Sequence, residues 1–324
     1  MRRAIVRELG PPENIAIEEA PSRPPGPAEA RVRIRAGGLN FPDMLMAAGK
    51  YQLRPPLPFT PGMEAAGDVV EVGTELRGFK LGDRVIVKVR HGAFSEEVTV
   101  GAANLLPLPA CMDYAEGATL LAAHGTAYHA LVERWTLNAG DVLLVHGAAG
   151  GVGLAAVDIG KRLGATVIAT GSRDDKLAVV KAHGADHVIN YVNDNFRDRV
   201  LELTGGKGAD VIYDPVGGQV FEQSMRCIAW NGRLLVVGFA GGTIAKLKTN
   251  LALLKGCSVI GVRAGEATRQ DPTLGPKRMA VLLDWAGKGW IKPHISHRFP
   301  LERIAEAMRV LDRREVIGRV ALEL

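Results

Sequence analysis

The stretch Val145 to Gly153, "VHGAAGGVG", decides the fold class of this chain. A short apolar run, 141–145, precedes it, and a segment with the pattern of a helix, 152–163, follows it. A strand, a glycine-rich turn and a helix in this order are the setting of a dinucleotide-binding loop. In the usual register the loop reads Ala148-x-Gly150-x-x-Gly153, with alanine in place of the first glycine.

Glycines in such a loop let the backbone approach a pyrophosphate, whose charge then lies at the positive end of the following helix. The predicted cofactor contacts in the loop are Ala148, Gly150, Gly151, Val152 and Gly153. The alternative is an ordinary glycine-rich turn between a strand and a helix. The strands that surround the loop distinguish the two interpretations.

Apolar, β-branched runs alternate with helix-like segments on both sides of the loop. The runs are 141–145, 166–170, 187–189, 210–213, 233–237 and 257–262. Six strands with helical crossovers predict a doubly wound parallel sheet, built from two βαβαβ halves, as in Rossmann domains. This arrangement favours the cofactor interpretation of the loop.

The rest of the chain has a different sequence pattern. Residues 1–122 contain short alternating runs separated by glycine and proline, which predicts a β-rich, barrel-like domain. After residue 265 the pattern is helix, strand, helix and strand, which we expect to complete that first domain. The predicted domains are therefore 1–122 with 265–324, and 123–264 for the nucleotide.

Composition excludes several classes of protein. The chain is 47% hydrophobic and 23% charged, with a net charge of +5, which is an ordinary globular composition. Basic and acidic residues are interleaved, so we expect no nucleic-acid partner. The chain contains no apolar stretch of about 18 residues, so no membrane span is predicted. No signal peptide and no cysteine framework are recognisable, which predicts a cytoplasmic protein with reduced thiols.

The end of the second strand bears on the choice of nicotinamide cofactor. An NAD enzyme usually has an acidic residue there, bound to the ribose 2′-hydroxyl. Gly171 and Ser172 occupy that place in this chain, and Arg173 and Lys176 follow, cations that suit a 2′-phosphate. The two aspartates between these cations are explained as charges favourable at a helix N-terminus. We therefore predict NADPH.

A set of longer motifs spans essentially the whole chain: "GLNFPDMLMAAGKY" (38–51), "PGMEAAGDVVEVG" (61–73), "GDRV" (82–85), "TAYHAL" (126–131), "HGAAGGVGLAAV" (146–157), "GADHVINY" (184–191), "VIYDPVGG" (211–218) and "NGRLLVVGF" (231–239). Together these motifs resemble the zinc-independent quinone oxidoreductase (ζ-crystallin-like) branch of the medium-chain dehydrogenase/reductases. The resemblance implies a GroES-like catalytic domain beside the Rossmann domain, with cofactor and substrate in the cleft between them.

The resemblance also implies further cofactor contacts. Ser172, Lys176 and Tyr191 are expected near the 2′-phosphate, with Arg314 as a cationic contact from the C-terminal part. The positions expected to contact the nicotinamide half are Thr126, Gly238, Phe239 and Asn250. The alternative for Tyr191 is an aromatic residue of the core or of a loop.

The zinc-dependent relatives hold a catalytic metal with cysteine and histidine, and this chain differs at those positions. Asn40 stands at the first cysteine position and Met63 at the histidine position, and "LLAAHGT" (120–126) lacks the second cysteine. A thioether and an amide are poor ligands for zinc. We therefore predict no metal.

Without a metal Lewis acid, electron-poor acceptors are the easier substrates, so the resemblance implies NADPH-dependent reduction of quinones. Candidate catalytic residues are Asn40, Asp43 and Tyr51. The Tyr51 hydroxyl is a donor for a developing oxyanion, or else its ring packs on the prolines that follow it. Asp43 is explained more simply as a residue that orders its loop.

Two alternatives stay open. One is an NADPH-dependent reductase of enones, alkenals or enoyl thioesters, for which a coenzyme A phosphate would need basic residues such as Arg54, Arg263, Arg269, Lys277 and Arg278. The other is a crystallin-like structural or RNA-binding protein stabilised by NADPH, which the few aromatic residues disfavour. The apolar strand 257–262 is expected at a sheet edge, where pairing with a second copy would give a homodimer.

Overall fold

The computed structural model describes residues 1–324, which form two compact units. The first unit comprises 1–122 and 283–324, and the second comprises 123–282. The return to the first unit falls at Leu283 and not at residue 265, where the sequence led us to expect it. Arg278, which precedes this boundary, forms an ion pair with Glu133 inside the second unit.

The N-terminal part of the first unit is mostly β-structure. Its strands are β1 (Arg2–Val6), β2 (Ile15–Glu19), β3 (Glu29–Leu39), β4 (Glu64–Val72), β5 (Arg84–Lys88), β6 (Glu97–Gly101) and β7 (Leu105–Pro107), with the helices α1 (Phe41–Ala47) and α2 (Tyr114–Tyr128). β1 and β2 form an antiparallel pair. In the first part of β3, Ala30, Val32 and Ile34 are buried while the arginines between them are not, which is the period-two pattern of a sheet with one core face.

The second unit contains a six-stranded parallel sheet. Its strands are β8 (Val142–Val145), β9 (Thr166–Gly171), β10 (His187–Asn190), β11 (Ala209–Asp214), β12 (Ile228–Val236) and β13 (Ser258–Gly261). The spatial order is β10-β9-β8-β11-β12-β13, so the direction of winding reverses between β8 and β11. This sheet confirms the predicted doubly wound fold.

Helices connect these strands and extend beyond the last one. They are α3 (Gly151–Arg162), α4 (Asp174–Ala182), α5 (Phe196–Leu203), α6 (Gly218–Cys227), α7 (Thr249–Lys255), α8 (Ala264–Gln270) and α9 (Leu274–Gly287). A π-helical turn, His129–Arg134, continues α2. No helix of the chain combines the length and the apolar character needed to cross a membrane.

The C-terminal residues return to the first unit as β14 (Ile295–Pro300), α10 (Ile304–Asp312) and β15 (Arg319–Glu323). β15 pairs antiparallel with β3 and parallel with β14. The resulting sheet follows the path β14-β15-β3-β4-β5-β7, and β6 also pairs with β3. β15, the last strand of the chain, is therefore hydrogen-bonded to β3, which lies near the N-terminus.

Candidate functional site

The glycine loop of the second unit joins β8 to α3 with little room for side chains. Gly147 has a φ of 55°, in the left-handed region that favours glycine. A Cβ atom on Gly153 would lie 2.3 Å from the Gly147 carbonyl oxygen, closer than real Cβ contacts allow. The Ala148 N–H donates to the Thr170 carbonyl over 3.1 Å, which ties the loop to β9.

The N-terminus of α3 faces this loop without a side-chain cap. Gly150 is the N-cap residue and offers no hydroxyl or carboxylate to the N–H groups of the first turn. Those N–H groups, added to the helix dipole, suit an anionic group. The close approach at Gly153 keeps the backbone of the loop open to a pyrophosphate, so the residues present fit a dinucleotide.

His146 is the first residue after β8 in this glycine-rich stretch, and it is buried. Its Nδ1 is 2.9 Å from the Thr170 hydroxyl, and its Nε2 is 2.8 Å from the Ser224 hydroxyl. Because the Ser224 hydroxyl donates to the Val220 carbonyl, it accepts from Nε2–H, and Nδ1 accepts from Thr170. Burial lowers the pKa of His146 to about 3, so this ring is a neutral link between β8, β9 and α6.

The carboxyl ends of β9 and β10 bring together the residues expected at the 2′-phosphate. Ser172 follows β9 and is exposed, Lys176 lies in the first turn of α4 and is mostly buried, and Tyr191 follows β10 with 43% of its surface exposed. The Tyr191 N–H donates to the Gly171 carbonyl over 3.0 Å, which joins these two strand ends. No acidic residue stands at the end of β9.

Arg173, the N-cap residue of α4, forms an ion pair with Asp175. Its Nε and Nη2 donate to the two carboxylate oxygens of Asp175 over 3.0 and 2.6 Å. The pair is exposed, so its strength is modest. The Asp174 carboxylate accepts from the Asn190 side chain over 2.8 Å, so both aspartates have partners within the unit.

The residues expected at the nicotinamide are distributed over three elements of the second unit. Gly238 and Phe239 follow β12, and the Phe239 ring is 42% exposed beside Gly217. Asn250 is exposed in the first turn of α7, and Thr126 is half-buried in α2. Arg314 instead belongs to the first unit, where it follows α10 with a φ of 57°.

The first unit holds a buried cluster of four polar residues, Asn40, Asp43, Glu64 and Arg319. Arg319 Nη2 donates to Glu64 Oε1 over 2.5 Å and to Asn40 Oδ1 over 2.8 Å. Asn40 Nδ2 donates to Glu64 Oε1 and to the Gly38 carbonyl, each over 3.1 Å. Burial raises the pKa of Glu64, and the Arg319 guanidinium opposes that shift.

This cluster gives Asn40 and Asp43 structural roles. Both N–H bonds of the Asn40 amide are used, so the side chain has no spare donor for a substrate oxygen. Asp43 is fully buried and accepts from the Asn40 N–H over 2.9 Å and from the Gly62 N–H over 3.2 Å. Burial raises the pKa of Asp43 to about 7. We therefore assign both residues to support of the loop between β3 and β4.

Tyr51 and Met63 pack against an apolar cluster of the first unit that includes Met46, Phe94 and Leu322. Tyr51 is half-buried, so its hydroxyl stays a candidate donor. No group of three histidine, cysteine, aspartate or glutamate side chains is arranged to hold a metal ion. An amide engaged by its neighbours and a packed thioether do not fit zinc.

Sequence reasoning missed Glu64 and Arg319. A carboxylate inside the buried run "EAAG" is a signal, because such a charge needs a buried partner. The partner is 255 residues away in the chain and could not have been identified from spacing. A second missed group, Asp158 with two histidines, is described below.

Comparisons with known proteins agree with this architecture. The family described as alcohol dehydrogenase GroES-like domain matches residues 26–110, and the family described as zinc-binding dehydrogenase matches residues 151–277. The chain is 39% identical over 324 residues to quinone oxidoreductase-like protein 2 of Mus musculus, covering 100% of this chain and 92% of that protein.

Solved structures show the same arrangement of secondary structure. The Escherichia coli quinone oxidoreductase complexed with NADPH is 29% identical and covers 100% of each chain, with a TM-score of 0.91. The CurF ER cyclopropanase of the curacin A biosynthetic pathway is 27% identical, covers 99% of this chain and 98% of its own, and has a TM-score of 0.89. Together with the sequence motifs, these similarities show that the chain belongs to the quinone oxidoreductase branch of the medium-chain dehydrogenase/reductase superfamily.

Proposed function

We propose that the chain is an NADPH-dependent, zinc-independent oxidoreductase that reduces quinones. The observation that carries the proposal is the glycine loop, where Gly153 lies against Gly147 and leaves an uncapped helix N-terminus for the pyrophosphate. The relative from Escherichia coli, which was solved with NADPH, supports the choice of ligand.

The preference for NADPH over NADH rests on the ends of β9 and β10. An acid at the end of β9 would repel a 2′-phosphate, and this chain has Gly171 and Ser172 there. Lys176 and Tyr191 supply a cation and a hydroxyl at the same edge. The two nearby aspartates are engaged by Arg173 and Asn190, which reduces their repulsion of an anion.

A bound nicotinamide supplies the hydride, and the chain's own residues hold both halves of the cofactor and exclude water. We assign to the Tyr51 hydroxyl a hydrogen bond to the acceptor oxygen as negative charge develops there. Asn40, Asp43, Glu64 and Arg319 keep the loop that carries Tyr51 in place. The residues at the metal positions of the zinc-dependent relatives do not fit zinc, so no step is assigned to a metal.

The second candidate activity is reduction of the double bond of an enone, an alkenal or an enoyl thioester, and it is kept because the structural neighbours also include enoyl reductases. A coenzyme A thioester is less well supported, because three of the basic residues suggested for its phosphate are engaged elsewhere. Arg278 is buried against Glu133, and Arg263 and Arg269 both pair with Glu266.

The test is NADPH oxidation by purified, EDTA-treated protein, with NADH as the control. Benzoquinone, phenanthrenequinone, a 2-alkenal and an enoyl thioester would be offered side by side. Quinone turnover that survives the chelator supports the proposal. Turnover of the alkenal or thioester alone would move the function to double-bond reduction. Tight NADPH binding without any turnover would favour the structural, crystallin-like alternative.

We also propose that two copies pair through β13. This strand lies at the edge of its sheet and pairs only with β12, so one side of its backbone lacks strand partners. Trp230, Leu253 and Leu254 are 75%, 79% and 67% exposed near this edge, a large apolar surface for a lone chain. Light scattering that shows a monomer at micromolar concentration would refute the dimer. Localisation in the cytoplasm stays a prediction.

A further inference from the structure

A largely buried carboxylate links three helices of the second unit. Asp158 lies on α3, and only 10% of its side chain is exposed. Its Oδ2 is 3.2 Å from His124 Nε2, on α2, and its Oδ1 is 2.9 Å from His183 Nδ1, at the C-terminal end of α4. We call Asp158, His124 and His183 the carboxylate–histidine group.

The position of Asp158 makes its charge unusual. The neighbouring residues of α3 are almost entirely buried and apolar, among them Leu154, Val157 and Ile159. An ionised carboxylate among such residues is costly unless hydrogen bonds and an opposite charge compensate it. Both oxygens of Asp158 are engaged by histidine nitrogens, so hydrogen bonds from two imidazole rings compensate the burial of this carboxylate.

The pKa values of Asp158 and His183 shift in opposite directions, as they do in an ion pair. Burial alone would raise the pKa of Asp158, but the hydrogen bonds from both histidines lower it. The hydrogen bond to Asp158 raises the pKa of His183 above its usual value of 6.5. Below the folded pKa of His183 the pair has no net charge, and above it the pair carries one negative charge.

This change of charge takes place on the helix that begins at the glycine loop. Asp158 is seven residues after Gly151, the first residue of α3, which corresponds to roughly 10 Å along the helix axis. A pyrophosphate at the loop would lie within about one Debye length of the carboxylate. The intervening protein screens the interaction less than water does.

We propose that the carboxylate–histidine group sets the affinity of the glycine loop for anionic nucleotides according to pH. With His183 protonated, the Asp158 charge is neutralised and the nucleotide phosphates are bound more tightly. With His183 neutral, the uncompensated carboxylate repels them through α3. This inference rests on the proposed NADPH binding, and it adds a regulatory group that does not touch the cofactor.

Other charged groups lie near His183, and their effects must be distinguished from the effect of its protonation. Lys161 on α3 pairs with Asp186 at 2.7 Å, and Lys181 on α4 donates to the Asp186 backbone carbonyl. The hydrogen bond from Lys161 lowers the pKa of Asp186, which keeps this second pair ionised when His183 titrates. His187 is exposed on β10 and is the one nearby histidine outside the group.

The test is the dissociation constant of NADPH, measured by its fluorescence from about pH 6 to about pH 9. His183→Asn keeps an N–H donor near the Nδ1 position but carries no charge. His187→Asn, the same substitution four residues away on an exposed histidine, is the matched control. The 2′-phosphate of NADPH itself titrates, so the ratio of each variant to the wild type is the quantity compared.

At the lower pH we expect His183→Asn to bind NADPH roughly three- to tenfold more weakly than the wild type. This is the change in affinity that one unit charge at this distance produces after screening. The two should converge at the higher pH, while His187→Asn follows the wild type throughout. Asp158→Asn should bind more tightly than the wild type at high pH, an effect opposite to that of simple damage.

Parallel pH profiles of the wild type and His183→Asn would overturn the inference. So would weaker binding of Asp158→Asn at every pH, provided that circular dichroism shows a folded protein. Failure of the wild type to bind NADPH at any pH would instead refute the proposed function, so the two failures are distinguishable.

Discussion

Replacement of Arg319 by methionine would leave Glu64 as a buried carboxylate without its cation. Glu64 is 1% exposed and would keep the amide donors of Asn40 and Ala122, the latter at 2.9 Å, and the electrostatic attraction of Lys88. Removing one partner of a buried ion pair costs about 3–5 kcal/mol, because the remaining charge is desolvated and uncompensated. We expect a loss of this size in the free energy of unfolding of the first unit.

The assay is urea denaturation of the wild type, Arg319→Met, Glu64→Gln and the double variant, monitored by circular dichroism. The double variant should recover most of the loss, since it contains no unpaired charge. Burial already raises the pKa of Glu64 in the wild type, so in Arg319→Met the carboxylate should take up a proton as the pH falls. The deficit of Arg319→Met should therefore shrink as the pH approaches 4.5, the ordinary pKa of a glutamate side chain.

A loss below about 1 kcal/mol for Arg319→Met would refute the reasoning, because it would place the pair in the range of exposed ion pairs. Additive losses in the double variant would refute it as well, since coupled partners give a large interaction energy.

Three further predictions concern Gly153, Asp43 and Tyr51. Gly153→Ala should reduce NADPH affinity by at least about tenfold, because the alanine Cβ would lie 2.3 Å from the Gly147 carbonyl oxygen and displace the loop. Isothermal titration calorimetry would measure this loss. Asp43 holds its proton to about pH 7 when folded, against an ordinary aspartate pKa of 3.8, so stability should fall by about 4 kcal/mol as the pH rises across that interval. Asp43→Asn should remove that slope in urea denaturation, and an unchanged slope would exclude Asp43 as its cause. Tyr51→Phe should lower kcat for quinone about a hundredfold with little change in KM, and an unaltered kcat would make Tyr51 a packing residue only.

The sequence sufficed for the architecture because the relevant signals are local. Apolar β-branched runs alternated with helical segments, and the glycine loop marked the start of α3, so the six-stranded sheet followed from spacing alone. The boundary at Leu283 was not predictable from local pattern, because residues after 265 contact the second unit through long-range pairs such as Arg278 with Glu133. That contact joins residues 145 positions apart.

The candidate site divides in the same way. The loop glycines and Ser172 were expected because they follow predicted strands, Tyr191 was expected only from the family resemblance, and the cofactor contacts of all of them stay predictions. The pairing of Arg173 with Asp175 was visible in neither the motif nor the charge count, since it depends on the side-chain conformations at the start of α4. Asp158 was missed because its two histidine partners come from different helices.

The closing of the first unit by β15 has a consequence for the order of events during synthesis. The second unit is one continuous segment and is complete once residue 282 has been made. The first unit must wait for residues 283–324, about two to eight seconds of translation. Until Arg319 emerges, Glu64 lacks this ion-pair partner and the edge of β3 that β15 covers is open. During synthesis the second unit is therefore complete while the first is not, and the backbone groups of residues 36–39 on β3 stay without their strand partner until β15 has been made.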